Sequence, residues 1–141
     1  MPASSLRDAS AVEVDIDEAR RRILVWITGP ASGSLVAGPI SRLFTDRPEL
    51  CAYDMLYDLT HYNGDISADD LDPIVDAYER CHPDTRLLTR TAFLTPDRYF
   101  QSWASAMDEQ FLGREHRAFP RREAAIAFLD MPVPERRRGL F

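Results

Sequence analysis

The chain has 141 residues, 45% of them hydrophobic and 28% charged, with a net charge of −6. That length suits one domain with its own hydrophobic core, folding without a metal or a disulfide. The composition excludes a disordered or fibrous chain, and the absence of a basic excess excludes the usual footprint of a nucleic-acid binder.

All 17 cationic residues are arginine, which removes chemistry that needs a Schiff-base or phosphate-loop lysine. Cys51 and Cys81 stand thirty positions apart, without C-x-x-C spacing, and read as free buried thiols. The opening Met1-Pro2-Ala3-Ser4-Ser5 shows no apolar run behind a basic end, and no window suits a bilayer span. The expected address is cytoplasmic. Charge is uneven: residues 46–84 carry eleven acids against Arg47 and Arg80, whereas residues 85–141 carry seven acids and ten arginines. The acidic middle discourages approach to DNA or anionic lipid.

Residues 1–10 lack periodicity and read as a flexible N-terminal segment. Val12, Val14 and Ile16 alternate with Glu13, Asp15 and Asp17, which predicts a strand with one wet face. Beyond a polar turn, the apolar run from Ile23 to Ile27 predicts a strand buried on both faces, paired with the first as a hairpin and stopped by Gly29-Pro30. A Gly- and Ser-rich connection leads to a short helix with Pro39 in its first turn and Ile40, Leu43 and Phe44 on one face. Leu50 to Leu59 predicts the next strand, ending in the turn-rich segment Thr60-His61-Tyr62-Asn63-Gly64-Asp65. Ser67 with Asp70 three positions later is a helix-start signature, and Leu71, Ile74, Val75 and Tyr78 form the buried stripe behind it. Leu87 to Thr95 predicts a further strand. Thr95-Pro96-Asp97 then opens an amphipathic helix that carries Phe100, Trp103, Met107 and Phe111 and ends at Gly113. Glu115 to Phe119 reads as an edge strand, and Pro120 opens a last helix burying Ala125, Phe128 and Leu129. Residues 131–141 read as an extended tail.

The order β-β-α-β-α-β-α-β-α implies one α/β domain over residues 11–130, with a mostly parallel five-stranded sheet and helices packed on it.

No motif names a reaction. Gly29, Gly33 and Gly38 lack the spacing of a dinucleotide fingerprint, and His61, His82 and His116 form no metal-ligand pair. No catalytic residue, metal or cofactor is therefore assigned. The best-placed binding site is the rim at the carboxyl ends of the strands, where α/β sheets usually take ligands. It should gather Thr60, His61, Tyr62, Asn63, Asp65 and Ser67 from one connection, and Thr95 and Asp97 from the next. The aromatic helix, with Tyr99, Phe100, Trp103, Met107 and Phe111, supplies a candidate apolar pocket wall or interface.

Three stretches carry a family resemblance. They are Asp58-Leu59-Thr60 before a loop and helix, Arg90 to Asp97 leading to Trp103, and Arg117-Ala118-Phe119 followed by the helix from Glu123 to Leu129. From Val12 to Asp130 the chain resembles the SpoIIAA-like branch of the STAS superfamily. The resemblance implies a non-enzymatic regulatory module that binds a protein partner. In anti-sigma antagonists of that superfamily, a serine opening the second helix, in an Asp-Ser-Ser-Gly sequence, is phosphorylated. Here the comparable stretch is Asp65-Ile66-Ser67-Ala68-Asp69, so only Ser67 matches that serine. The SpoIIAA-like fold is also similar to the lipid-carrying CRAL-TRIO domain, which implies an alternative, a small apolar-ligand or lipid carrier.

Three readings follow. An interaction module predicts a closed core and a protein partner or homodimer. A carrier predicts a pocket between the sheet and the helices bearing Leu71 and Trp103. An enzyme, the least supported, predicts a deep polar cleft holding a group of displaced pKa.

Overall fold

The computed structural model describes residues 10–84 and 86–132. Apart from Ser10, Met131 and Pro132, the segments expected over 1–10 and 131–141 lie outside the described residues.

Five strands form one sheet in sequence order: β1 (Ala11–Asp17), β2 (Arg22–Thr28), β3 (Asp54–Asp58), β4 (Thr89–Leu94) and β5 (Arg114–Phe119). β1 pairs antiparallel with β2, and every later pair is parallel. Four helices accompany them: α1 (Gly33–Asp46), α2 (Asp72–Arg80), α3 (Phe100–Ala106) and α4 (Arg122–Asp130). The α/β architecture, the strand count and the mixed pairing are those the sequence predicts. Among the described residues, no helix is long and apolar enough to cross a membrane.

Alternation along the strands divides the sheet into two faces. On the first, Ile23–Met55–Thr91–His116 stand side by side across the sheet, and Val25–Tyr57–Phe93–Ala118 form the next row. α1, α2, α3 and the 3-10 turn after α3 cover this face with Ile40, Phe44, Ile74, Tyr78, Ala104 and Met107. On the second face, Leu56, Ala92 and Leu94 pack against Ala125, Phe128 and Leu129 of α4. At its end, Arg22 pairs with Asp130 at 2.7 Å, and Arg90 donates to the carbonyls of Met131 and Pro132.

Several boundaries differ from expectation, each for a local reason. α1 starts at Gly33, well before Pro39, because the Ser32 hydroxyl caps it by accepting from the Leu35 N–H at 3.3 Å. Pro39 lies inside the helix, where the buried stripe Val36, Ala37, Ile40 and Phe44 holds the turn that a proline weakens. The strand expected over Leu50–Leu59 begins only at Asp54. Pro48–Ala52 coils instead as a 3-10 turn, with the Leu50 N–H donating back to the Arg47 carbonyl and the Tyr53 N–H closing the turn onto the Leu50 carbonyl. The helix expected from Ser67 opens as a 3-10 turn at Asp69–Leu71, and its α-helical part starts at Asp72. Only the acidic half of the predicted capping box forms, the Asp70 carboxylate accepting the Ser67 N–H at 2.9 Å. The helix expected from Asp97 starts at Phe100 and leaves α-geometry at Ala106. Before it, the Thr95 hydroxyl and the Asp97 carboxylate take the N–H groups of Asp97 and Tyr99 as successive side-chain turns. Cys51 is buried and Cys81 half-buried, both free, and burial pushes the Cys81 thiol up to about 11.

The Ser32 cap is testable. Ser32→Ala should cost about 1 kcal/mol of unfolding free energy, read as a lower urea midpoint at unchanged slope.

Candidate functional site

Between the first sheet face and its three helices lies a cavity of about 440 Å³. Its sheet wall is Ile27, Met55, Tyr57, Thr91 and Phe93, and its helical wall includes Ile74, Tyr78, Trp103 and Met107. Aromatic contacts make one side rigid: Tyr57 stacks on Phe93 at 5.1 Å, and Phe93 meets Phe100 at 5.1 Å and Trp103 at 6.2 Å. Most of the wall is apolar, with a few polar groups at its two ends.

One end is formed by the loop after β3 and the turn after β4. Tyr62, Asn63, Gly64, Asp65 and Ile66 come from the loop, and Thr95, Asp97 and Tyr99 from the turn. The loop is tied to the end of β2: the Gly29 N–H donates to the His61 carbonyl at 2.9 Å, and the Asn63 N–H to the Gly29 carbonyl at 3.1 Å. Gly29 has φ 71°, which glycine adopts without strain. Gly64 lies so close to the Ala31 carbonyl and the Tyr62 ring that a Cβ there would stand 2.5 Å from that oxygen. The Tyr62 hydroxyl is buried without a hydrogen-bond partner, and burial raises its pKa, with Asp65 and Asp70 adding to the shift.

The other end lies at the start of β5. Arg114 is 4% exposed. It donates from Nη1 to the Thr91 hydroxyl at 2.9 Å and the Arg90 carbonyl at 3.3 Å, and from Nη2 to the carbonyls of Tyr53 at 2.6 Å and Cys51 at 3.0 Å. Two positions on, His116 is also buried and contacts the Asp108 carboxylate through Nδ1 at 3.0 Å, while its backbone N–H donates to the same oxygen at 2.7 Å. Burial pushes the His116 pKa down to about 4. Asp108 opposes that shift, and Arg114 adds to it. The imidazole is therefore neutral near pH 7.

Of the predicted rim residues, Tyr62, Asn63, Asp65, Thr95 and Asp97 line the cavity, as do all five of the aromatic helix, Tyr99, Phe100, Trp103, Met107 and Phe111. Thr60, His61 and Ser67 are not part of its wall. Thr60 turns back onto Asp58, whose other oxygen takes Arg122 at 2.6 Å. Ser67 is exposed, and the amide beside it is already held by Asp70, a carboxylate standing where a phosphate would be received. The strand order never reverses, so the rim has no switch-point crevice.

Sequence reasoning missed Arg114, His116, Thr91 and Tyr57. A signal existed for the first two. Arg114 through Arg117 are charged or polar on both alternating faces, so a strand there must turn one polar pair inward.

No family model matches the sequence, and no curated protein does. Among solved structures, the chain is similar to the crystal structure of an uncharacterised protein of the DUF3478 family, with a SpoIIAA-like fold, from Shewanella loihica PV-4. The two share 15% identity, the match covers 86% of this chain and 93% of that one, and the TM-score is 0.54. The chain thus has a SpoIIAA-like fold.

His116 gives a pH test. In the unfolded chain its imidazole takes a proton below its ordinary value of 6.5, whereas the folded chain resists until about 4. Stability should therefore fall as pH drops from about 6.5 towards 4, with this one site contributing at most ~1.4 kcal/mol per pH unit. His116→Asn should flatten the fall between pH 6.5 and 5, measured by urea unfolding, and equal slopes in both proteins would refute a neutral buried imidazole.

Proposed function

We propose that this domain is a non-enzymatic carrier that binds a small apolar or amphipathic molecule between its sheet and the three helices on the first face. The observation that carries this reading is the 440 Å³ cavity with its aromatic wall. Small-molecule sites run from roughly 300 to 1,000 Å³ and are mainly apolar with a few placed polar groups. Close-packed interiors leave few voids larger than a water molecule. An interaction module needs no such opening. The similarity of the SpoIIAA-like fold to the CRAL-TRIO domain agrees with a lipid-like occupant.

The wall chemistry favours binding over catalysis. Among the described residues it offers neither a serine nor a cysteine. Its histidine, held near 4 by burial, is a weak proton acceptor at neutral pH.

A second reading, a regulatory module docking a protein partner or a second copy on the rim, has Tyr99 in its favour, 81% exposed beside the cavity. Light scattering on the wild type and Tyr99→Ser distinguishes the two. Docking of a second copy predicts self-association that the variant loses, whereas a carrier predicts monomers in both.

For the carrier reading, Trp103 is the reporter. In a Trp26→Phe background, titration with 1-decanol should shift Trp103 emission saturably, at one molecule per chain. Ile74→Phe, which narrows the cavity from α2 without adding a second indole, should weaken or abolish that shift while the protein stays folded. A linear, non-saturating response would overturn the reading.

A further inference from the structure

Resting on the carrier reading, we infer that the cavity takes a single-chain amphiphile with its carboxylate at Arg114 and its hydrocarbon chain running along the Phe93–Trp103 wall towards Tyr62. The argument starts from what Arg114 lacks. Among the described residues no carboxylate lies within ion-pair distance of its guanidinium. Its four Nη hydrogens are spent on three carbonyls and one hydroxyl, while its Nε–H is buried with no acceptor. A guanidinium cannot shed its proton to escape burial. Asp54 feels the Arg114 charge but stands beyond ion-pair distance, so this cation in low dielectric has no direct counter-ion and favours an anion that comes to it.

Two other buried arginines also have an unpartnered Nε, and they sharpen the contrast. Arg22 already holds the Asp130 carboxylate, and Arg90 lies over the Phe128 ring and is tied to the chain leaving α4. Neither lines the cavity. Arg114 does.

The surroundings of Arg114 suit one small anion. Thr91 accepts from Nη1, which leaves its own hydroxyl hydrogen to donate. Tyr57, one row further along, has for its hydroxyl only the Met55 sulfur at 3.9 Å, a feeble acceptor. The buried guanidinium charge and these hydroxyls match a carboxylate, whereas a phosphate dianion asks for more donors than the site supplies. The opposite end is acidic, with Asp65 and Asp97, so an anionic head is disfavoured there and the ligand's orientation is fixed. From Thr91 to Thr95 the sheet wall extends about 13 Å at ~3.3 Å per residue, a span that suits a medium-length alkyl chain.

The test compares three heads on one tail. By calorimetry at pH 7.5, decanoate should bind the wild-type protein at least about tenfold tighter than 1-decanol, the preference expected of a desolvated, charge-assisted hydrogen bond. Decyl phosphate should bind more weakly than decanoate. Arg114→Met should bring decanoate and decanol to equal affinity while decanol binding persists. Should that variant unfold, the wild-type comparison decides alone. Equal binding of decanoate and decanol by the wild type overturns the carboxylate assignment and leaves the carrier reading standing. Tighter binding of decyl phosphate also overturns it. Failure of all three amphiphiles to bind overturns the carrier reading itself.

Discussion

The strict sequence order of the sheet constrains everything built on it. Parallel strands laid down one after another need a crossover between each pair, and crossovers of a single hand fall on a single face. α1, α2 and α3 accordingly share one face, and only the terminal α4, which connects no strands, is free to cover the other. The consequence is asymmetry. The second face is sealed by one helix with a compact cluster around Phe128, whereas the first must be roofed by three helices of unequal length. α3 has only seven residues and is extended by a 3-10 turn, so its aromatic side chains, more than its backbone, close the roof. The cavity lies beneath this roof.

That geometry gives the cavity two electrically different ends. Loops leaving the carboxyl ends of the strands place Asp65, from the acidic middle of the sequence, and Asp97, from the segment after β4, at one end. At the other end, Arg114 at the beginning of β5 is anchored to carbonyls of Cys51 and Tyr53 and lies over the Tyr78 ring at 5.6 Å. Exposed acids act through water and are screened within about a Debye length. A buried guanidinium acts in a medium where the same charge counts several times more. The acidic end thus governs how an occupant approaches, and the buried cation governs how firmly it is held.

Much of this architecture was legible in the chain. The alternation of Val12, Val14 and Ile16 and the apolar run from Ile23 to Ile27 mark the hairpin, although the run, expected to be buried on both faces, is fully buried only at Ile23, Val25 and Ile27, with Leu24 and Trp26 half-buried on the other face. The stripe of α2 was equally readable. What failed were boundaries where side chains compete with the backbone: Ser32 captured a helix start that the sequence pattern sets near Pro39, and Thr95 with Asp97 delayed α3 by taking the amides of Asp97 and Tyr99. The cavity was half legible. Its aromatic wall follows from helical spacing on one segment. Its polar floor is assembled from Thr91, Arg114 and His116 on β4 and β5, with Arg114 anchored to the Tyr53 carbonyl, and no local pattern encodes a contact across sixty residues.

The choice of arginine completes the physical logic. A lysine at position 114 could answer burial by giving up its proton, leaving a neutral amine and a nonspecific pocket. A guanidinium keeps its charge, and its planar fork lets four donors be locked by the protein while one is left over. The locked donors hold β5 to the 3-10 turn before β3 and to β4, so the residue that would read a ligand's head also joins the strands forming the floor. Its neighbour His116 is kept neutral by the same burial and by that same positive charge, which prevents the floor from accumulating a second cation at physiological pH. One buried cation at one end of a mainly aromatic chamber, with Asp65 and Asp97 at the other, is an arrangement that selects a single anionic head over both a neutral one and a more highly charged one.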